Sequence, residues 1–148
     1  MKIFAVVLAV LLAGCIHRGI DLKTPFNPAQ VQYIHSQGEG VITGQAFLNN
    51  KGAVNYAAFQ KVLLVPISTH ALERMQAIYG DSNTQKYSIT FNNQSALYFS
   101  YQKQTTADAL GNFRFENIAD GNYYVATQVG GQGSVEFRAV RKQVSVVG

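Results

Sequence analysis

From Glu39 onward, apolar and polar residues alternate in short runs separated by turn residues, the period of strands with one buried face. Residues 40–48 are the first predicted strand, closed by the turn cluster Asn49-Asn50-Lys51-Gly52. Residues 59–67 have a continuous apolar middle, as a strand covered on both faces would, and Pro66 marks its end because proline has no N–H for a ladder. Tyr87, Ile89 and Phe91 alternate with Ser88, Thr90 and Asn92. After Asn92-Asn93-Gln94-Ser95, Leu97, Phe99 and Tyr101 alternate with Tyr98, Ser100 and Gln102, which predicts a hairpin over 86–102. Phe113 and Phe115 alternate with Arg114 and Glu116, Tyr123, Val125 and Thr127 follow, and 135–147 is the last strand. Seven strands joined by short turns predict an antiparallel sandwich. One segment breaks the pattern. In 68–79, Leu72, Met75 and Tyr79 fall at i, i+3 and i+7, Ser68 or Thr69 is available as N-cap and Gly80 as a stop, so a helix of about three turns is expected.

The start of the chain follows a different rule. Met1-Lys2 precedes an unbroken apolar run over 3–12, too short for a bilayer span of roughly 20 residues but matched to the apolar region of a secretory signal. Leu12-Ala13-Gly14-Cys15 follows directly, and Cys15 is the only cysteine. This stretch resembles the lipobox of bacterial lipoproteins. The resemblance implies cleavage between Gly14 and Cys15 and acylation of the Cys15 thiol. Anchoring by several acyl chains, at about 0.8 kcal/mol per buried CH₂, would be effectively permanent. Residues 16–38 carry Pro25 and Pro28 and no sustained period, so they read as a tether. The expected organisation is therefore a signal peptide over 1–14, a lipidated tether over 15–38 and a β-sandwich domain over 39–148. Ile16, not Asp, follows the cysteine. In a Gram-negative host that favours the outer membrane over the inner.

A second resemblance lies in 105–125. Thr105, Asp108, Gly111, Phe113, Phe115 and Ile118, then Gly121, Tyr123 and Val125, meet every position of the pattern T-x-x-D-x-x-G-x-F-x-F-x-x-[ILV] followed by G-x-Y-x-[VL]. That pattern resembles the carboxypeptidase-regulatory-like domains, which are transthyretin-like (prealbumin-like) seven-stranded β-sandwiches. The expected fold class is thus an all-β sandwich of this type with one short inserted helix. Folding alone accounts for the motif. Asp108 and Gly111 bracket a tight turn, Phe113 and Phe115 point inward at period 2, Ile118 plugs the core, and the Tyr123 hydroxyl needs a partner near the loop.

Composition narrows the function. The chain of 148 residues is 47% hydrophobic and 14% charged, enough to bury one core, and its single cysteine leaves no intramolecular disulfide. The net charge of +4 is spread as single residues apart from Arg138, Arg141 and Lys142, without the clustered basic and aromatic residues that nucleic-acid binding wants. His70 and Glu73 have a spacing that shares a helix face, but a zinc site needs a third ligand, and a solvated helix face is the expected reading. Asp108 and Asp120 sit in turn motifs, and Gly130-Gly131-Gln132-Gly133 joins two strands as a hairpin loop. No catalytic residue, metal or cofactor is expected. The expected function is a non-catalytic, lipid-anchored binding or scaffolding module of the cell envelope. Its partners are the membrane through Cys15 and an envelope protein or the cell wall. The alternative is carbohydrate binding through exposed aromatic platforms, for which Tyr56, Tyr98, Tyr101 and Tyr124 are the candidates, although Trp is absent.

Overall fold

In the computed structural model, which describes residues 18–85, 88–130 and 138–148, the chain begins with β1 (Arg18–Ile20), two 3-10 turns (Pro28–Gln30 and Gln32–His35), β2 (Gln37–Gln45), β3 (Phe47–Asn50), β4 (Ala53–Tyr56) and β5 (Lys61–Pro66). It continues through α1 (Thr69–Tyr79), β6 (Ile89–Phe91), α2 (Ala96–Ser100), β7 (Lys103–Thr106), β8 (Asn112–Ile118), β9 (Gly121–Val129) and β10 (Arg138–Val146). One sheet has the order β10-β9-β5-β7, antiparallel throughout. The other is built from β8 against β2 and from β3 against β4. Ala46 welds these two ladders together. Its N–H donates to the Gly111 carbonyl just before β8, and its carbonyl accepts the Ala57 N–H just after β4, both at 2.9 Å. With β2 and β3 counted as one bent strand, the sandwich has seven strands, and the expected all-β sandwich is present.

The two inner faces make the core. Val62 and Leu64 of β5, Tyr123 and Val125 of β9, and Val146 of β10 meet Ile42 of β2 and Phe115 and Ile118 of β8. The motif over 105–125 folds as its residues require. The Asp108 carboxylate accepts the Asn112 side-chain amide and the backbone N–H groups of Asn112 and Leu110, each at 2.9 Å, and these bonds hold it below the usual carboxylate range. Gly111 has φ +78, and a Cβ there would collide with the Ala46 carbonyl, so the weld between the ladders admits only glycine. The Tyr123 hydroxyl donates to the Ala119 carbonyl at 2.7 Å. Register between Arg138 and Val129 makes β9 and β10 a hairpin, while most of its glycine-rich connection lies outside the described residues.

The outer face of the four-stranded sheet is covered. Val65 and Tyr124 project from it against Ala71, Met75 and Tyr79 of α1 and Tyr98 of α2. Ser68 caps α1 by accepting the Ala71 N–H at 3.0 Å, and Gly80 ends it at φ 58. The predicted helix is therefore correct in extent, but its phase differs. Leu72 is exposed, because the buried face is centred on His70, Ala71, Met75 and Tyr79.

Two expectations are corrected. Residues 96–100 are helical, not a strand. A strand would bury Leu97, Phe99 and Tyr101 on one face, whereas Tyr98 alone goes inward and Leu97 and Phe99 stay outside. Five alternating residues fit either geometry, and insertion of the Tyr98 ring into the layer under α1 decides it. Of the predicted hairpin, β6 is real, and it pairs with β1 outside the sandwich; Lys86 and Tyr87 lie outside the described residues. The expected tether is folded over 18–36. Leu22, Val31 and Ile34 are buried at irregular spacings, so they generate no period. Ile34 joins the sandwich core, and the Tyr33 hydroxyl donates to the Asn122 carbonyl at 2.9 Å.

Burial pushes the hydroxyl groups of Tyr79 and Tyr98 up to about 12 from 10.0. In the unfolded chain both ionise near 10, so between pH 10 and 12 the unfolded state has lost protons that the folded state retains. The contribution of these two tyrosines to stability is expected to be constant just below pH 10 and to fall from there toward 12. Denaturant midpoints that stay flat over that window, or tyrosinate absorbance developing wholly near pH 10 in the folded protein, would contradict this burial.

Candidate functional site

Among the described residues, no layer covers the outer face of the three-stranded sheet formed by the bent strand β2–β3, β4 and β8. Strand alternation sends Val41, Thr43, Gln45 and Phe47 outward along β2 and β3, with Val54 and Tyr56 outward on β4. Pairing places Phe47 opposite Tyr56, and their rings meet edge to face with centroids 6.3 Å apart. Phe47 remains 48% exposed and Tyr56 37%. Polar groups frame the pair: Gln45 is in register with Asn112, and Thr43 with Arg114, which forms an exposed ion pair with Glu116. The β3–β4 hairpin is rigid at its tip, where Lys51 and Gly52 both take positive φ, as a two-residue type I′ turn demands. At the adjoining end Phe59 is 71% exposed at φ 58, and its N–H donates to the carbonyl of Asp108. A bulky side chain held at positive φ with its ring in water costs stability.

Beside this face the two sheets part into a cleft of about 380 Å³. Phe113, Val125 and Val144 line its apolar wall, and Thr43, Arg141 and Lys142 lie toward its polar side. Lys142 occupies a position of β10 in register with Val125, among residues that face the core. It is tolerated because the cleft lets its ammonium group reach water. Gly44 and Ala46 supply too little side chain to fill the gap, and the Phe113 ring lies over Gly44.

Of the residues expected to bind, Gly14 and Cys15 lie outside the described residues. Tyr56 is on the open face. Tyr98 and Tyr124 are only 3% and 6% exposed, so the expectation that they form open platforms is corrected: both fill the layer between α1 and the sheet. Tyr124 also lies under the Arg141 guanidinium. Tyr101 is half-buried, with its ring against Phe26 and His35. Sequence reasoning passed over Phe47, whose signal was its odd place in the alternation of 40–48.

His70 is buried, not solvated. Its Nδ1 lies 2.6 Å from the Thr24 carbonyl, which can only accept, so Nδ1 carries the proton, and its Nε2 has no partner among the described residues. Glu73 accepts the N–H groups of Lys23 and Thr24, both at 2.7 Å, and these bonds lower its pKa. The pair therefore clamps the N-terminal segment to α1, and among the described residues no three His, Cys, Asp or Glu side chains gather as a metal site. Asp108 and Asp120 stand beyond opposite ends of β8, roughly 20 Å apart at strand rise, too far for a glycosidase pair.

No family model and no curated protein matches the chain. Among solved structures, a crystal structure from Pseudomonas aeruginosa, of a protein described as a candidate carbohydrate binding protein, matches with a TM-score of 0.64 at 24% identity. The match covers 84% of this chain and 92% of that one. At that identity the likeness concerns architecture: the two chains share the all-β sandwich.

Proposed function

We propose that the chain is a lipid-anchored, non-catalytic binding module of the cell envelope, held to the membrane by acylated Cys15. Its binding surface is the outer face of the three-stranded sheet, toward an envelope protein or the cell wall. One observation carries this reading. Of two comparable sheet faces, one is roofed by helices and the N-terminal segment, while the other leaves Phe47, Val54 and Tyr56 exposed together on β3 and β4 and Val41 exposed farther along β2. Contiguous exposed apolar residues rimmed by polar ones mark interaction sites. The lipobox-like Leu12-Ala13-Gly14-Cys15 supports the anchor. The non-catalytic assignment is supported by the way Asp108, His70 and Glu73 spend their hydrogen bonds on turns and on the clamp.

A second reading, carbohydrate binding on the same face, is favoured by the Phe47–Tyr56 pair with the amides of Gln45 and Asn112 at its rim. Rings can stack on the apolar faces of sugars while amides bond their hydroxyls. The description of the Pseudomonas aeruginosa neighbour points the same way.

Immobilised full-length protein exposed in parallel to detergent-solubilised envelope and to a glycan array separates the two readings by what is captured. The Phe47→Ala/Tyr56→Ala double variant is expected to lose at least ~10-fold in capture, as truncated aromatic anchors do, with its unfolding midpoint little changed. Undiminished capture by the double variant would remove this face from the account.

A further inference from the structure

We infer that the layer formed by β1, α1 and α2 lies against the bilayer, with Leu97 and Phe99 in the lipid interface, so that the domain sits on the membrane instead of standing off it. This rests on the acylation of Cys15 proposed above.

The argument begins with chain length. Arg18, three residues after Cys15, is already paired with Ile89 in β1. Three residues reach at most about 11 Å at 3.3–3.6 Å each. No slack enters downstream, because the segment after β1 is fastened at every step. The Asn92 N–H donates to the Ile20 carbonyl at 3.0 Å. The Asn93 side chain brackets Leu22, accepting from its N–H at 2.8 Å and donating to its carbonyl at 2.7 Å. Glu73 and His70 then clamp Lys23 and Thr24, and the Phe26 ring packs edge-on against Tyr98. An acylated Cys15 therefore brings this layer to the membrane surface.

Beside β1 the layer exposes two large apolar side chains among polar neighbours such as Asn92 and Gln94. Leu97 is 48% exposed and Phe99 44%, on either side of the buried Tyr98. The Arg74 guanidinium carbon lies 4.2 Å from the Phe91 ring centre and 5.2 Å from that of Phe99, so these two rings are neighbours. Phe91 is in register with Ile20 of β1. The exposed pair thus stands next to the strand through which the chain leaves for the anchor. Two side chains bind a bilayer weakly when free, but an anchor within about 11 Å converts their insertion into an intramolecular step, where weak contacts suffice. In this orientation Phe47 and Tyr56, on the far side of the sandwich, face away from the membrane.

The chain contains no Trp, so a single introduced one is an unambiguous reporter. Full-length protein carrying Phe99→Trp or Tyr56→Trp, processed in a bacterial host, is reconstituted into phosphatidylcholine/phosphatidylglycerol vesicles with brominated acyl chains. Palmitate incorporation and flotation with the vesicles are scored on the same samples. Quenching of the Phe99→Trp emission at least three-fold stronger than that of Tyr56→Trp is expected, and Leu97→Trp repeats the test should Phe99→Trp not fold. Equal quenching in protein that carries palmitate and floats would overturn the orientation and leave the anchor intact; that is also the outcome if a second copy covers α2. Protein without palmitate would overturn the anchor and the orientation together.

Discussion

Phe115→Ala is expected to destabilise the domain by about 3–5 kcal/mol, the usual cost of emptying a buried phenylalanine site. Phe115 is 5% exposed, in register with Ile42 across the β2–β8 ladder, and packed with Val62, Leu64 and Ile118 between the sheets. Against a total stability of roughly 5–15 kcal/mol, such a loss brings the domain close to unfolding. Phe113→Ala should cost less, because its ring borders the open cleft. Arg114→Ala should change stability by less than about 0.5 kcal/mol, since its ion pair with Glu116 is exposed on both sides. A urea series with constant slope reads all three. Arg114→Ala emerging as the most damaging would mean that the strand has the opposite phase.

The sandwich motif was legible because each of its residues answers a local demand. Asp108 and Gly111 make one turn, Phe115 and Ile118 fill one core, and the Tyr123 hydroxyl finds a carbonyl four residues back. The cap of α1 was legible for the same reason. The errors fall where a distant partner decides. β7 is the polar run Lys103–Thr106, a strand only because β5 pairs with it, and β4 is held by the turn at Lys51-Gly52 and by β3. Seven strands were expected and seven make up the sandwich, yet β4 and β7 replace two that were predicted between 87 and 101. The folded segment over 18–36 was hidden because its contacts are to α1 and to the sandwich end, from 39 to 89 residues away in sequence. Of the proposed binding surface, the sequence showed aromatic residues without showing their sides. Tyr98 and Tyr124 are equally aromatic and wholly committed to packing, whereas Phe47 and Tyr56 remain exposed, with no layer over their sheet face among the described residues.

The anchor is the claim on which both the proposed function and the membrane-facing orientation depend, and radiolabelled palmitate incorporation into wild type and Cys15→Ser tests it most directly. Cys15 is the only thiol of the chain, and Ser keeps its size while removing the nucleophile that acylation needs. The apolar run over 3–12 is unchanged in the variant, so the secretory signal proposed there is left intact. No helix among the described residues is long and apolar enough to cross a membrane, so none of those helices offers an alternative span. The account predicts a labelled wild type that sediments with membranes and a Cys15→Ser variant with no label. Equal labelling of the two, or a wild type that takes up none, would contradict it.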